Sequence, residues 1–521
     1  MPAESSVEPL FYQLHADPDH SANDAVSATS LVALWSGVDG LQWQQLVNYF
    51  AKQETQQIAP FGESLIRHGL SLVRNHSTPE KLVCPLLANL RILFHAANQA
   101  TDSQADSFRS LVLNLLAAVP AQETWREFIA LISDDAPRTP QTAVVAMTPF
   151  FRPASAELVA VLFPSLTDQL GQLTLAAPIL DLANYYTRQG CIPVHPLQDR
   201  ASSLASMLRQ LTQQMLCLEE RVPDSNDQLV RVGQQVNDAV AVIIGLLDAL
   251  ALIDDSQHAI VMYPLLDVAH RRLRVEAAAA LARLGESVGE ESLIGLASER
   301  AVRLTVLAYA EELGIDQRID SVYRTPEARA EGELVAWLAE PTQFAMPPDE
   351  MTTFDQRTLN WPGYDQPVDC YLFRFGYSRE PRSFENIGIS GPMTKTVSSN
   401  LLDLPPQQIY ALFAGLESEH DDIYQLQVDS ERAAPDVARL LGRIPQEEYW
   451  VDQPLWLGVF FEYRVLVATA DRNSAKGTLI IDEEGLQWYP VGNPNRPIGP
   501  DEAYAIYKGR RLLESFNDGF A

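Results

Sequence analysis

The chain has 521 residues, with 38 basic and 68 acidic side chains and a formal net charge of −30. With 46% hydrophobic and 20% charged residues it is globular, and long enough for about three domains or a repeat array plus one domain. Such acidity argues against nucleic-acid binding, which needs a basic face, and against docking on anionic lipid.

The first residues, Met1-Pro-Ala-Glu-Ser-Ser-Val-Glu8, carry no basic stretch followed by an apolar run, so no secretory signal is expected and the location is expected to be cytoplasmic. Residues 1–30 are rich in Ser, Asp, Glu and Ala and are expected to form a flexible leader, with Leu10-Phe-Tyr-Gln-Leu14 able to dock onto the body. From 31 to 320 the pattern is helix after helix. Apolar residues recur at three- and four-residue spacing over 40–53, 63–75, 80–99, 103–119, 122–133, 173–188, 201–220 and 227–253. Short breaks such as Asp134-Asp-Ala-Pro137 separate these segments. The longest apolar run, 240–253, is too short to span a bilayer and carries Asp248, so it reads as a buried helix. Cys84, Cys191, Cys217 and Cys370 are far apart and form no C-x-x-C pair, so reduced thiols are expected rather than a zinc or redox site. Asn75-His-Ser77 matches a glycosylation acceptor by chance, given the missing secretory signal.

The clearest regularity closes this region. Arg274-Val-Glu-Ala-Ala-Ala-Ala-Leu-Ala-Arg-Leu-Gly285 is followed 29 positions later by Arg303-Leu-Thr-Val-Leu-Ala-Tyr-Ala-Glu-Glu-Leu-Gly314. A degraded earlier copy ends at Asp254, where the glycine should stand. Glycine just past a helix supplies the left-handed residue that stops it, and alanines on one face let the neighbouring helix approach closely. One such pair cannot bury its own face, so pairs must stack.

The pattern of Arg274–Gly285 resembles the short HEAT repeat, including the HEAT-like repeat named after phycobilisome lyase subunits. The likeness is carried by 254–314 and thins upstream. It implies an armadillo-type α-solenoid used as a protein-binding surface, and it brings no catalytic residue.

Residues 321–365 are expected to hold one helix, 328–338, and a Pro-rich acidic linker, Glu340-Pro-Thr-Gln-Phe-Ala-Met-Pro-Pro-Asp-Glu350. Beyond 366 the period becomes two. Asp369-Cys-Tyr-Leu-Phe-Arg-Phe-Gly-Tyr377 alternates as a half-buried strand, 456–468 reads as a long strand or a bent pair, and 477–489 reads as a hairpin turning at Asp482-Glu-Glu-Gly485. Helices are expected over 407–417, 434–441 and 501–516. Residues 366–521 thus read as an α+β domain with an antiparallel sheet, similar to the C-terminal regions of bacterial HEAT-repeat proteins. The acidity is not focused: 366–521 holds 14 basic and 23 acidic residues, a charge density close to that of the rest. It therefore serves solubility rather than one acidic tail.

Local chemistry is sparse. Glu417-Ser-Glu-His-Asp-Asp422 is the densest group of potential ligands, but it lacks the spacing and glycine of a calcium loop and reads as a solvated helix end. Gly388-Ile-Ser-Gly-Pro392 presents Ser390 between glycines, followed by Lys395, yet it is one residue short of a nucleophile elbow and is no phosphate loop. His420 stands alone like the other histidines. The expected function is a non-catalytic scaffold binding one or more proteins through the second helices of the pairs, with Arg274, Glu276, Arg303, Glu311 and Glu312 as candidate contacts. No cofactor or metal is expected. The alternatives are an accessory, lyase-like role in chromophore or cofactor attachment, implied only by the repeat resemblance, and an enzyme seated around Ser390, Lys395 and His420.

Overall fold

The computed structural model of the chain describes residues 37–52, 59–96, 102–153, 155–219, 226–254, 256–379, 382–517 and 519. The expected leader, with its Leu10–Leu14 segment, lies outside them. The chain forms two compact units, Met1–Ser292 and Leu293–Ala521.

The first unit is built from helices α1 (Gly40–Lys52), α2 (Ala59–Asn75), α3 (Pro79–Val83), α4 (Leu87–Ala96), α5 (Asp102–Ala118), α6 (Gln122–Asp134), α7 (Pro140–Met147), α8 (Ala156–Leu166), α9 (Leu173–Arg188), α10 (Ala201–Glu219), α11 (Asn226–Ile253) and α12 (Arg271–Arg283), with α13 (Ser287–Leu296) crossing into the second. They lie in two rows. One runs α1, α4, α6, α8, and the other runs α2, α5, α7, α9, α11, α12, each helix packing on the next. The core between the rows is continuous, and α5 is buried almost all round from Leu111 to Ala117. The segment 80–99, expected as one helix, is broken by a 3₁₀ turn at Cys84–Leu86, because Pro85 has no N–H to donate and its ring crowds the preceding turn. Helices α7 and α8 fall in a stretch whose prolines had masked them. Pro140 is tolerated in the first turn, with Thr139 capping it, and Ser155 caps α8 through the Leu158 amide.

The 240–253 run is part of a 28-residue helix, so its length does not exclude a membrane span. Among the described residues Val232–Ile253 is the one helix segment long and apolar enough for it, and half of its most apolar stretch is buried inside the protein. That burial, not length, supports reading it as a core helix.

The repeat stops form as expected. Gly285 and Gly314 adopt φ of 80° and 69°. The Glu286 amide reaches back to the Leu281 carbonyl at 3.0 Å and the Ile315 amide to the Ala310 carbonyl at 2.9 Å, the six-to-one bond of a left-handed helix stop. Asp254, in the degraded copy, takes the same left-handed turn at φ 56°.

The second unit contains α14 (Arg303–Glu312), α15 (Pro326–Leu338), two antiparallel sheets and three further helices. The first sheet runs β1 (Glu350–Leu359), β2 (Val368–Arg379), β3 (Arg382–Ser390), β4 (Lys395–Thr396); the second runs β5 (Ile423–Gln427), β6 (Tyr449–Phe460), β7 (Tyr463–Arg472), β8 (Ala475–Ile481), β9 (Leu486–Pro490). Residues 350–359, expected as linker, are strand β1, held by antiparallel pairing to β2 from Glu350↔Gly376 to Leu359↔Val368. The expected linker helix, α15, is no linker element either. Its Leu334, Val335 and Leu338 pack with Met351 and the aromatic stripe Tyr371, Phe373, Phe375, Tyr377 on one face of the first sheet. The copy Arg303–Gly314 therefore belongs to the sheet-bearing unit. The 456–468 segment is a bent pair: β6 turns into β7 through Phe461 at φ 53°.

Helices α16 (Pro406–Leu416) and α18 (Pro500–Phe516) pack on each other between the two sheets, and α17 (Ala434–Leu441) covers the other face of the second sheet. The α16–α18 crossing is a backbone contact. A Cβ on Gly415 would lie 1.9 Å from the Ala505 carbonyl oxygen, and one on Gly509 would lie 1.7 Å from that of Ala411. The contact is reciprocal, and both partners are 94 positions apart. The same offset relates Pro406 to Pro500 and Tyr410 to Tyr504. An offset of 93 superposes the two-residue hairpins Arg379↔Arg382 and Arg472↔Ala475. It also maps Leu372 onto Val465 and Ile387 onto Ile480, which all face the helix pair. Beyond α15 the unit therefore runs twice through a ββββα order, with β5 and α17 additional in the second run.

Candidate functional site

The candidate contacts separate. Arg274 and Glu276 stand half-buried on α12, and Glu276 faces Arg272 at 3.6 Å. Arg303 is not a surface residue: it is 4% exposed, and its guanidinium donates to the carbonyls of Ala297 and Ala328 at 3.0 Å and to Glu331 at 2.7 Å. It staples the start of α14 to α15, which removes it as a partner contact. Glu311 and Glu312 are exposed, with Glu311 paired to Arg329 at 2.6 Å.

The Ser390, Lys395 and His420 group does not form a catalytic constellation. Ser390 is buried at the end of β3, and its hydroxyl donates to Glu333 at 2.9 Å. Gly391 follows at φ 114° because a Cβ there would strike the Asp369 carbonyl oxygen at 2.1 Å. The motif is a strand end turning tightly, not an exposed elbow. Lys395 lies across that hairpin, paired with Ile389. His420 sits in the loop after α16, where its Nδ1 accepts from the Asp422 amide at 3.1 Å and its ring tilts over Phe461. The cleft that His420 lines, about 510 Å³, does not include Ser390 or Lys395; its other wall is Tyr504 and Lys508 of α18.

Two buried polar centres had no local sequence signal. In the helical unit, His195 donates from Nε2 to Asn184 Oδ1 at 3.0 Å, and its Nδ1 accepts from the Leu197 amide at 3.2 Å. Asn184 in turn donates to the Gly245 carbonyl at 3.0 Å. Burial pushes the imidazole down to about 4, so the ring is neutral. In the sheet-bearing unit, burial works to raise the Asp482 carboxyl, but hydrogen bonds from Tyr507, Arg511 and the Gly485 and Glu484 amides outweigh it and hold it below its ordinary value. Both are structural: each is satisfied by the fold and neither lines a cleft. Among the described residues no group of three or more His, Cys, Asp or Glu is arranged to hold a metal ion.

A second cleft opens in the helical unit. A cleft of about 620 Å³ lies among α7, α9, α10 and α11, lined by Pro140, Leu173, Leu211, Met215 and Leu218 with a glutamine-rich rim and Asp238. Leu173 is 54% exposed, and Val144, one turn beyond Pro140 on α7, is 50% exposed. Val145 and Leu216 are exposed as well. Of these four exposed aliphatic residues, Leu173 lines the cleft.

No family model matches the chain, and neither a curated protein nor a solved structure matches it.

Proposed function

We propose that the chain is a non-catalytic scaffold, cytoplasmic in location, that binds a protein partner on the α7–α9–α10–α11 face of a HEAT-like solenoid. The observation that carries this reading is the open apolar cleft lined by Leu211, Met215, Leu218 and the exposed Leu173, with Val144, Val145 and Leu216 exposed on the helices that form it. Grouped exposed aliphatic side chains mark contact surfaces, whereas scattered ones do not. The double row of hairpins supports the solenoid reading, because stacked pairs bury one another's faces and leave an extended outer surface. The partner that fits is an amphipathic helical segment, apolar along one side and basic along the other, laid into the groove. Its basic side would meet a chain whose net charge is −30.

The test is affinity capture from native cytosol with the full chain and with Leu173→Asp, a substitution at an exposed position. A protein retained by the wild type and reduced by about tenfold with the variant, which corresponds to about 1.4 kcal/mol, supports the reading. Equal retention by both chains, or no retained protein at all, sinks it.

A further inference from the structure

The cleft beside His420 is built from the loop Ser418–Ile423 on one side and from Tyr504 and Lys508, one turn apart on α18, on the other. Lysine is scarce in this chain; there are five. Lys508 is half-buried, and its ammonium lies over the Tyr504 ring at 5.2 Å. Among the described residues no carboxylate comes within ion-pair distance of it, although its helix neighbours Arg510 and Arg511 are both paired, to Glu514 and to Asp482 and Glu484. Burial pulls its ammonium down from the ordinary lysine value, and no nearby negative charge opposes that pull. A desolvated cation with no counter-charge is a cost that an incoming anion offsets.

Tyr504 is a second unsatisfied group. It is 3% exposed, and its hydroxyl has no hydrogen-bond partner among the described residues. The hydroxyl lies against Gly458 of β6, where a Cβ would be 2.4 Å away, and Gly458 pairs with Gln425, which also lines the cleft. The phenol thus stands under the cleft floor. On the mouth the charge is opposite. Glu419 and Asp421 are exposed and, among the described residues, make no ion pair. His420, between them, has Nδ1 engaged by the Asp422 amide, which leaves Nε2 as the donor.

We infer that this cleft binds a small zwitterion of the amino-acid or dipeptide type, with its carboxylate on Lys508 and its ammonium toward Glu419 and Asp421. The polarity of the site selects the class. A dianionic phosphate would meet the two rim carboxylates, and a simple cation would leave Lys508 uncompensated. A molecule with one charge of each sign satisfies both ends, and the volume of about 510 Å³ gives it room. This site lies in the sheet-bearing unit and stands whether or not the helical face binds a protein.

The experiment is saturation-transfer NMR on the full chain. The probes are pooled free L-amino acids and pooled dipeptides, beside the same compounds N-acetylated or blocked as carboxamides. A saturable signal from a free zwitterion is expected, weakened about tenfold or more by Lys508→Met and by blocking either end. Replacing the exposed rim, Glu419→Gln with Asp421→Asn, weakens it severalfold and leaves the fold untouched, as circular dichroism and Tm confirm. The inference is overturned if no probe gives a signal, if the signal persists in both variants, or if acetylated and free compounds bind alike.

Discussion

Arg303 shows what a single side chain does when the chain folds around it. The repeat pattern placed it on a helix face offered to a partner. Instead it donates to two carbonyls and to Glu331 from inside the protein. Replacing it by methionine leaves two carbonyls without their donor and takes from Glu331 one of its two arginine partners, Arg300 remaining at 2.7 Å, so Arg303→Met is expected to cost about 2–3 kcal/mol in urea unfolding of the second unit. A loss under about 1 kcal/mol would show a surface role after all. His195 makes the complementary case in acid. Its folded value of about 4 lies below the ordinary histidine value of 6.5, so the unfolded chain binds the extra proton between those limits. Its share of stability is therefore complete above about pH 6.5, falls as pH drops toward 4, and totals about 3 kcal/mol. Stability of the helical unit measured against pH should slope through that window. In His195→Gln, which has no titrating ring, that slope should flatten. Neither residue's buried role was legible in the sequence. Arg303 needed α15 to be in place, and His195 meets Asn184 and Gly245 from separate segments.

At the scale of elements, local signals were legible and non-local ones were not. The helix stops at Gly285, Gly314 and Asp254 depend only on the residues around them, and all three form. Helix 173–188 is read to the residue, because its apolar spacing is contained in the segment itself. Strand β1 was taken for linker because Glu350-Met-Thr-Thr-Phe-Asp-Gln-Arg-Thr-Leu359 is mostly polar, and its extended state comes from pairing with β2. The α16–α18 crossing was invisible for the same reason. Small residues at Ala411, Gly415, Ala505 and Gly509 look like ordinary helix filler until the two helices meet. Gly509→Ala inserts a methyl group where a carbonyl oxygen already sits, so the helices must part, at an expected cost of about 1–3 kcal/mol. Gly415→Ala should cost a similar amount. Faster hydrogen exchange along both helices in either variant would report it, and an unchanged exchange pattern would place the crossing elsewhere.

Over the whole molecule, the coarse architecture read from composition and periodicity is the one observed: helices first, then an α+β region with antiparallel sheets. The candidate site was legible only in part. His420 does line a cleft, but Ser390 and Lys395 do not join it, and Lys508, which does, carries no motif. The tandem halves also escaped the sequence, since their likeness rests on a few positions and the offset slips from 94 to 93 where a loop changes length. That duplication has a consequence for how the polypeptide emerges from a ribosome. When residue 490 has been synthesised, every strand of both sheets exists, but only one of the two helices that fill the space between them does. The faces that carry Leu372, Ile387, Val465 and Ile480 then have α16 to pack on but not α18. A nascent chain in that state presents sheet surface to chaperones and proteases, and α18 closes the core.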